Sequence, residues 1–160
     1  MNTLETLPLT SRVWIYQSNR EFNADEAQQI EAQVKRFVLT WNSHSQQLPA
    51  TGKLLHNRFI ILMVDQDSVA ASGCSIDSSV HFIQMLGKEY NTDFFDRMNF
   101  AYLHGQEIKT AHREEFQELY KQGIINDDTI VFNNLVDNKG DFERGWKVRL
   151  GDSWYKNMVD

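Results

Sequence analysis

The sequence predicts an α+β fold, and three observations carry the prediction. One long stretch, Asn23 to Trp41, repeats apolar residues at helical spacing. Several short β-branched and aromatic runs are bounded by local turns. Helical segments fall among those runs, giving the order strand, helix, hairpin or strand, helix, hairpin, helix, strand. Local hairpins mixed with crossovers mean a mainly antiparallel or mixed sheet with three main helices packed on it. At 160 residues the chain is expected to form one globular domain, residues 1–160, with residues 1–11 as an extended tail.

Val13-Trp14-Ile15-Tyr16 is the first strand, its two faces both apolar or aromatic. Asn23 then offers a helix cap, and Glu26 three residues later completes a capping box. Ala27, Ile30, Val34, Phe37, Val38 and Trp41 form the buried stripe of that helix, with Gln28, Gln29, Glu31, Gln33 and Lys35 between them. Asn42 to Gly52 reads as a loop. Lys53 to Leu55 and Phe59 to Val64 are strands joined at His56-Asn57, as a hairpin rather than one bulged strand, and Asp65 to Ser68 ends the second. Ser75 is the expected cap of the next helix, whose apolar face is Ile76, Val80, Ile83, Leu86 and Tyr90. Met98 to Leu103 and Gln106 to Thr110 form a hairpin turning at His104-Gly105. Arg113 to Gln122 is helical, stopped by Gly123. Thr129 to Phe132 is a strand, Asn138-Lys139-Gly140 a turn, and Asp141 to Asp160 a short helix with irregular structure.

Sixteen basic and twenty-two acidic residues give a net charge of −6 at pH 7. The excess is −1 over residues 1–70 and −5 over residues 71–160. Nucleic-acid binding needs concentrated Lys and Arg, and the sole adjacent basic pair is Lys35-Arg36, so no nucleic acid is expected as a partner. The single cysteine, Cys74, cannot form an intramolecular disulfide, and the first residues lack a secretory signal pattern. The longest apolar run is Phe59 to Val64, far short of the ~20 residues a membrane helix needs. The expected setting is the cytoplasm, without membrane insertion.

Motifs exclude more than they assign. A P-loop requires G-x-x-x-x-G-K-[ST]. Gly52-Lys53 is followed by Leu54, Gly87-Lys88 by Glu89, and the earlier glycine positions are Gln47 and Phe82. The chain is therefore not a P-loop ATPase, and Phe59 to Asp65 is a core strand ending in a turn. Cys74 precedes the expected helix start, where backbone N–H groups favour a thiolate. With Asp77 and His81 it forms the candidate catalytic group of a cysteine-dependent transferase or hydrolase. Two helical turns separate Cys74 from His81, about 11 Å of rise, so the favoured reading is a small buried packing residue. Ser72, Gly73, Ser75 and Ser78, with Asn133 and Asn134, are the candidate ligand-binding residues, as hydroxyls and free N–H groups at a helix start hold anions. The competing reading is that these serines cap the helix and the asparagines shape a turn. His44, His56, His81, His104 and His112 show no metal-ligand spacing, and neither metal nor cofactor is expected.

Six segments occur together: Arg12-Val13-Trp14-Ile15-Tyr16-Gln17, Ser72-Gly73-Cys74-Ser75-Ile76-Asp77, Val80-His81-Phe82-Ile83-Gln84, Asp96-Arg97-Met98-Asn99, Thr129 to Val136, and Asp152-Ser153-Trp154. Over its full length the chain resembles a small bacterial family of unknown function, about 160 residues long (a single-domain size), commonly labelled "ABC transporter ATPase". The resemblance supplies no catalytic residue. Ala71-Ser72-Gly73-Cys74-Ser75 is the nearest approach to the transporter signature L-S-G-G-Q and does not match it. Taken together, the residues point to a non-enzymatic domain that binds a small molecule or protein partner. The alternatives are a cysteine-dependent enzyme and a structural subunit of an assembly.

Overall fold

In the computed structural model the chain runs β1 (Arg12–Gln17), α1 (Ala24–Thr40), β2 (Asn42–Ser43), β3 (Gln46–Gln47), β4 (Ala50–Leu55), β5 (Phe59–Val64), α2 (Gly73–Glu89), β6 (Asn99–His104), β7 (Glu107–His112), α3 (Arg113–Lys121), β8 (Ile130–Phe132), α4 (Lys139–Gly145), β9 (Lys147–Arg149) and α5 (Tyr155–Val159). Residues 2–67 and 69–160 are described; Met1 of the expected tail and Ser68 of the expected strand-ending turn lie outside them. Every strand pairing is antiparallel, and the class is α+β, as the sequence predicts. The strands are distributed over sheets ordered β1-β5-β4, β2-β3 and β7-β6-β8-β9. Contacts group the chain into two units, Met1–Phe95 with Val136–Phe142, and Asp96–Leu135 with Glu143–Asp160.

In the first unit β5 is central and buried on both faces, which is why its sequence is an unbroken apolar run rather than an alternation. Register places Trp14, Leu62 and Gly52 side by side on one face, with Tyr16, Ile60 and Leu54 in the next row. This face joins the buried stripe of α1 (Ile30, Val34, Val38) and Ile83 and Leu86 of α2 in one core. Helix α1 lies so close to β4 that a Cβ on Gly52 would stand 2.6 Å from Val34 Cγ1. The expected loop from Asn42 to Gly52 is therefore corrected. It contains the two-residue strands β2 and β3 and the first half of β4. A strand-interior glycine reads as a breaker in sequence, yet here it makes room for the helix.

The predicted cap at Asn23 forms as a capping box with Glu26. The hairpin at His56-Asn57 also forms, both residues having positive φ and Arg58 N–H closing the turn on Leu55 O at 3.1 Å. Helix α2 starts earlier than expected: Ser72, not Ser75, is its cap, and Ser75 completes the box. Its buried face carries Ser75, Ser79, Ile83 and Leu86, while Ile76 and Val80, expected inward, are half-buried. Arg20 ties the two helices together. Its guanidinium donates to both Glu26 carboxylate oxygens, at 2.9 and 2.6 Å, and to the Tyr90 carbonyl at the end of α2.

The expected extended tail is also corrected. Leu4 to Thr6 form a turn, Leu7 is buried, and the Lys139 ammonium donates to the Leu7 and Glu5 carbonyls at 2.7 and 2.9 Å. The expected turn at Asn138 to Gly140 instead opens α4, because Asn138 Oδ1 accepts the Asp141 N–H at 2.8 Å.

In the second unit β6 and β7 pair with His104 opposite Glu107, so the hairpin turns at Gly105-Gln106, one residue later than expected. Phe100, Tyr102, Phe116, Val131, Leu150 and Tyr155 form its core. Gly123 ends α3 as predicted. At φ +75° it donates to Tyr120 O, while Ile124 N–H returns to Leu119 O, the paired closure that a left-handed residue permits. The irregular C-terminal stretch of the sequence reading contains β9, paired with β8 through Val131 and Val148. Lys156 of α5 contacts Asp127 and the Tyr120 hydroxyl at 2.9 and 2.8 Å.

Candidate ligand-binding cleft

The start of α2 is built for capping. Ser72 Oγ accepts the Ser75 N–H at 3.2 Å, and Ser75 Oγ accepts the Ser72 N–H at 2.6 Å. Ser78 Oγ donates to Cys74 O at 3.0 Å, and Ser79 Oγ to Ile76 O at 2.6 Å. The hydroxyls expected to meet a ligand are engaged within their own helix. Gly73 is the first helical residue, and a Cβ there would touch nothing. The buried Ser75 has a structural partner as well, since its carbonyl accepts the Trp41 indole N–H at 2.7 Å.

The expectation that Cys74 is a buried packing residue is overturned: the thiol is exposed. With Ser72 as cap, Cys74 occupies the second helical position and Ser75 takes the inward one. Asp77 and His81 are exposed further along α2, and among the described residues no hydrogen bond joins either to the thiol. Asn133 and Asn134 belong to the second unit. Asn133 Oδ1 accepts the Leu135 N–H at 3.2 Å, and Asn134 Oδ1 accepts the Trp146 indole N–H at 2.9 Å. The first shapes the backbone and the second anchors a tryptophan. Among the described residues no group of three His, Cys, Asp or Glu side chains is placed to hold a metal ion.

Sequence reasoning missed a cleft of about 580 Å³ in the first unit, a volume suited to a small ligand. One wall is the turn Asn2 to Glu5, and another is a stripe of α1. Glu31, Lys35, Val38 and Leu39 on that stripe stand four, seven and eight residues apart from the first, so one helix side presents all four. Gln47 and β4 from Ala50 to Lys53 complete the lining. Leu39 is 66% exposed, a large apolar side chain left uncovered, and it borders this cleft. Lys35 and Lys53 have no ion-pair partner among the described residues. Glu31 Oε1 accepts the Leu54 N–H at 3.2 Å. A backbone N–H at its own turn and the Thr3 hydroxyl hold the Glu5 carboxyl below the usual carboxylate range, with weaker attraction from Lys53 and Lys139.

A more open depression of about 650 Å³ beside the end of α2 includes Asn19, Thr92 and Asp93. Part of its polar lining is engaged: Thr92 Oγ1 reaches Asn19 Oδ1 and Ser18 Oγ, each at 2.6 Å. Asp93 Oδ1 accepts the Phe95 N–H at 2.7 Å. The cleft beside β4 is the better binding candidate because it sets two lysines beside the exposed apolar Leu39 and a strand edge. Its ionisable lining is Glu5, Glu31, Lys35 and Lys53, with the hydroxyls of Thr3 and Thr51 beside them.

The cleft has no sequence motif, since its walls come from three separated segments. Its traces in the sequence are the basic pair Lys35-Arg36 and a glycine, Gly52, inside an otherwise apolar strand. No helix among the described residues is long and apolar enough to cross a membrane. No protein-family model, curated protein or solved structure matches the chain.

Proposed function

We propose that this chain is a non-enzymatic cytoplasmic binding protein of the small bacterial family its segments resemble, and that it takes its ligand or partner in the cleft between α1 and β4. The observation that carries the reading is the combination of a partly apolar cavity with two lysines that have no ion-pair partner among the described residues. An apolar lining with a few convergent polar groups is the usual form of a ligand site. The helix start at Ser72 offers a weaker case because its hydroxyls are spent on capping.

The test is a nuclear magnetic resonance titration of the full chain against a panel of small organic fragments. Binding in the cleft shifts the amides of Lys35, Ala50, Gly52 and Lys53. A panel that perturbs only other surfaces, or nothing at all, removes the reading.

The exposure of Cys74 keeps a cysteine-dependent enzyme as the second reading. The absence of a hydrogen-bonded base beside the thiol among the described residues weighs against it. Under the binding reading one thiol per native chain reacts with an aromatic disulfide reagent without denaturant, and Cys74→Ser leaves fragment binding unchanged. Loss of a detectable turnover in that variant would favour the enzyme instead.

A further inference from the structure

We infer that the cleft takes its ligand as an added β-strand, a short extended peptide segment lying along the outer edge of β4; this rests on the binding reading above. The alternation of the β4–β5 ladder fixes which amides face outward. Asp65 N–H donates to Pro49 O at 2.9 Å, and the same register pairs Thr51 with Met63 and Lys53 with Ile61. In an antiparallel pair alternate residues carry the ladder bonds. Pro49, Thr51, Lys53 and Leu55 therefore face β5, while Ala50, Gly52 and Leu54 direct their backbone groups to the open edge. Glu31 meets the outward Leu54 N–H at 3.2 Å, which fits this alternation.

The outward Gly52 N–H makes no hydrogen bond to another described residue, and Gly52 lines the cleft. An edge-strand N–H without a partner is a template on which a further strand can pair. The other edge of the same sheet is covered at its start, where Val13 N–H donates to Asp137 O at 2.9 Å and Arg12 bridges Asn138. The open edge and the cleft coincide.

An added strand can exchange both backbone bonds with Gly52. The ligand residue opposite Gly52 then projects to the α1 side, against Val38 and Leu39, and its neighbours project to the Lys53 side. Glu31 holds the Leu54 N–H, so the pairing stops there and the segment is short. The lining balances Lys35 and Lys53 against Glu5 and Glu31, which suits neutral amide groups better than a polyanion. The chemistry is that of a few residues with an apolar side chain flanked by small polar ones.

The probe is the blocked pentapeptide acetyl-Thr-Ser-Val-Ser-Thr-amide, titrated into the full chain, with a second peptide N-methylated at its valine. Strand addition shifts the Ala50 to Lys53 amides and slows hydrogen exchange at Gly52 by about tenfold at saturation, and N-methylation weakens binding by about tenfold. Equal binding of the N-methylated peptide, unchanged exchange at Gly52, or shifts centred elsewhere overturn strand addition. If the fragment panel still perturbs the cleft in those cases, the binding reading survives alone. If neither peptide nor panel perturbs it, both fall.

Discussion

Gly52 holds α1 and β4 at a separation that no other residue permits. Its absent side chain leaves Val34 Cγ1 room where a Cβ would stand at 2.6 Å, with Leu62 Cδ2 at 3.0 Å. Gly52→Ala overpacks this contact, and the expected cost is about 1–3 kcal/mol, read as a lower urea midpoint at unchanged slope. Adding Val34→Ala removes the nearest clash, so the double variant loses less stability than the two single losses combined. Additive losses would show that α1 does not rest on Gly52. Glu26 gives a residue-scale prediction of a different kind. The Arg20 guanidinium, and then the Asn23 backbone N–H, pull its carboxyl down to about 2 from an ordinary 4.5. A group whose folded value is depressed stabilises the fold above its unfolded value and loses that contribution as pH falls through the folded one. The stability gap between the native chain and Glu26→Gln is therefore full above about pH 5 and closes as pH falls towards about 2. Denaturant midpoints for both proteins across that range check it.

At the scale of elements, the sequence was most legible where a local signal coincided with packing. The Asn23–Glu26 box and the apolar stripe behind it describe α1 closely because both act within one helix. Gly123 is equally legible: α3 needs a left-handed residue to close its last carbonyls, and Gly123 provides it at φ +75°. Gly123→Ala should cost about 1 kcal/mol, since the left-handed conformation strains any Cβ, and thermal unfolding measures the loss. The start of α2 was misjudged because Ser72 and Ser75 are both good caps, and only the backbone at Ser72 shows which one begins the helix. The loop expected from Asn42 to Gly52 failed for another reason. His44 and Ser45 turn at positive φ between strands of two residues each, and Thr51-Gly52 reads as a poor strand until α1 is placed over it. The cleft was illegible for the same cause. Lys35, Lys53 and Glu5 become neighbours through tertiary packing alone, while the legible serines of the α2 start turn out to bond one another.

For the molecule as a whole, net charge sets how the open edge of β4 behaves among many copies. At pH 7 the chain carries −6, and mutual repulsion keeps copies apart. That repulsion disappears near the isoelectric point of about 5.3. An edge strand with outward, unpaired backbone groups is a template for pairing with another chain once repulsion is gone. Light scattering should therefore rise reversibly as pH is lowered from 8 towards 5.3, with the amides of Ala50 to Lys53 broadening before the rest. Lys53→Glu removes a positive charge and adds a negative one beside that edge, so it should move the onset of scattering to lower pH. Saturating acetyl-Thr-Ser-Val-Ser-Thr-amide should suppress the association by occupying the same backbone groups. If broadening begins at other amides and Lys53→Glu only follows the shift in isoelectric point, the chains meet through a different surface and the β4 edge is not the molecule's adhesive face.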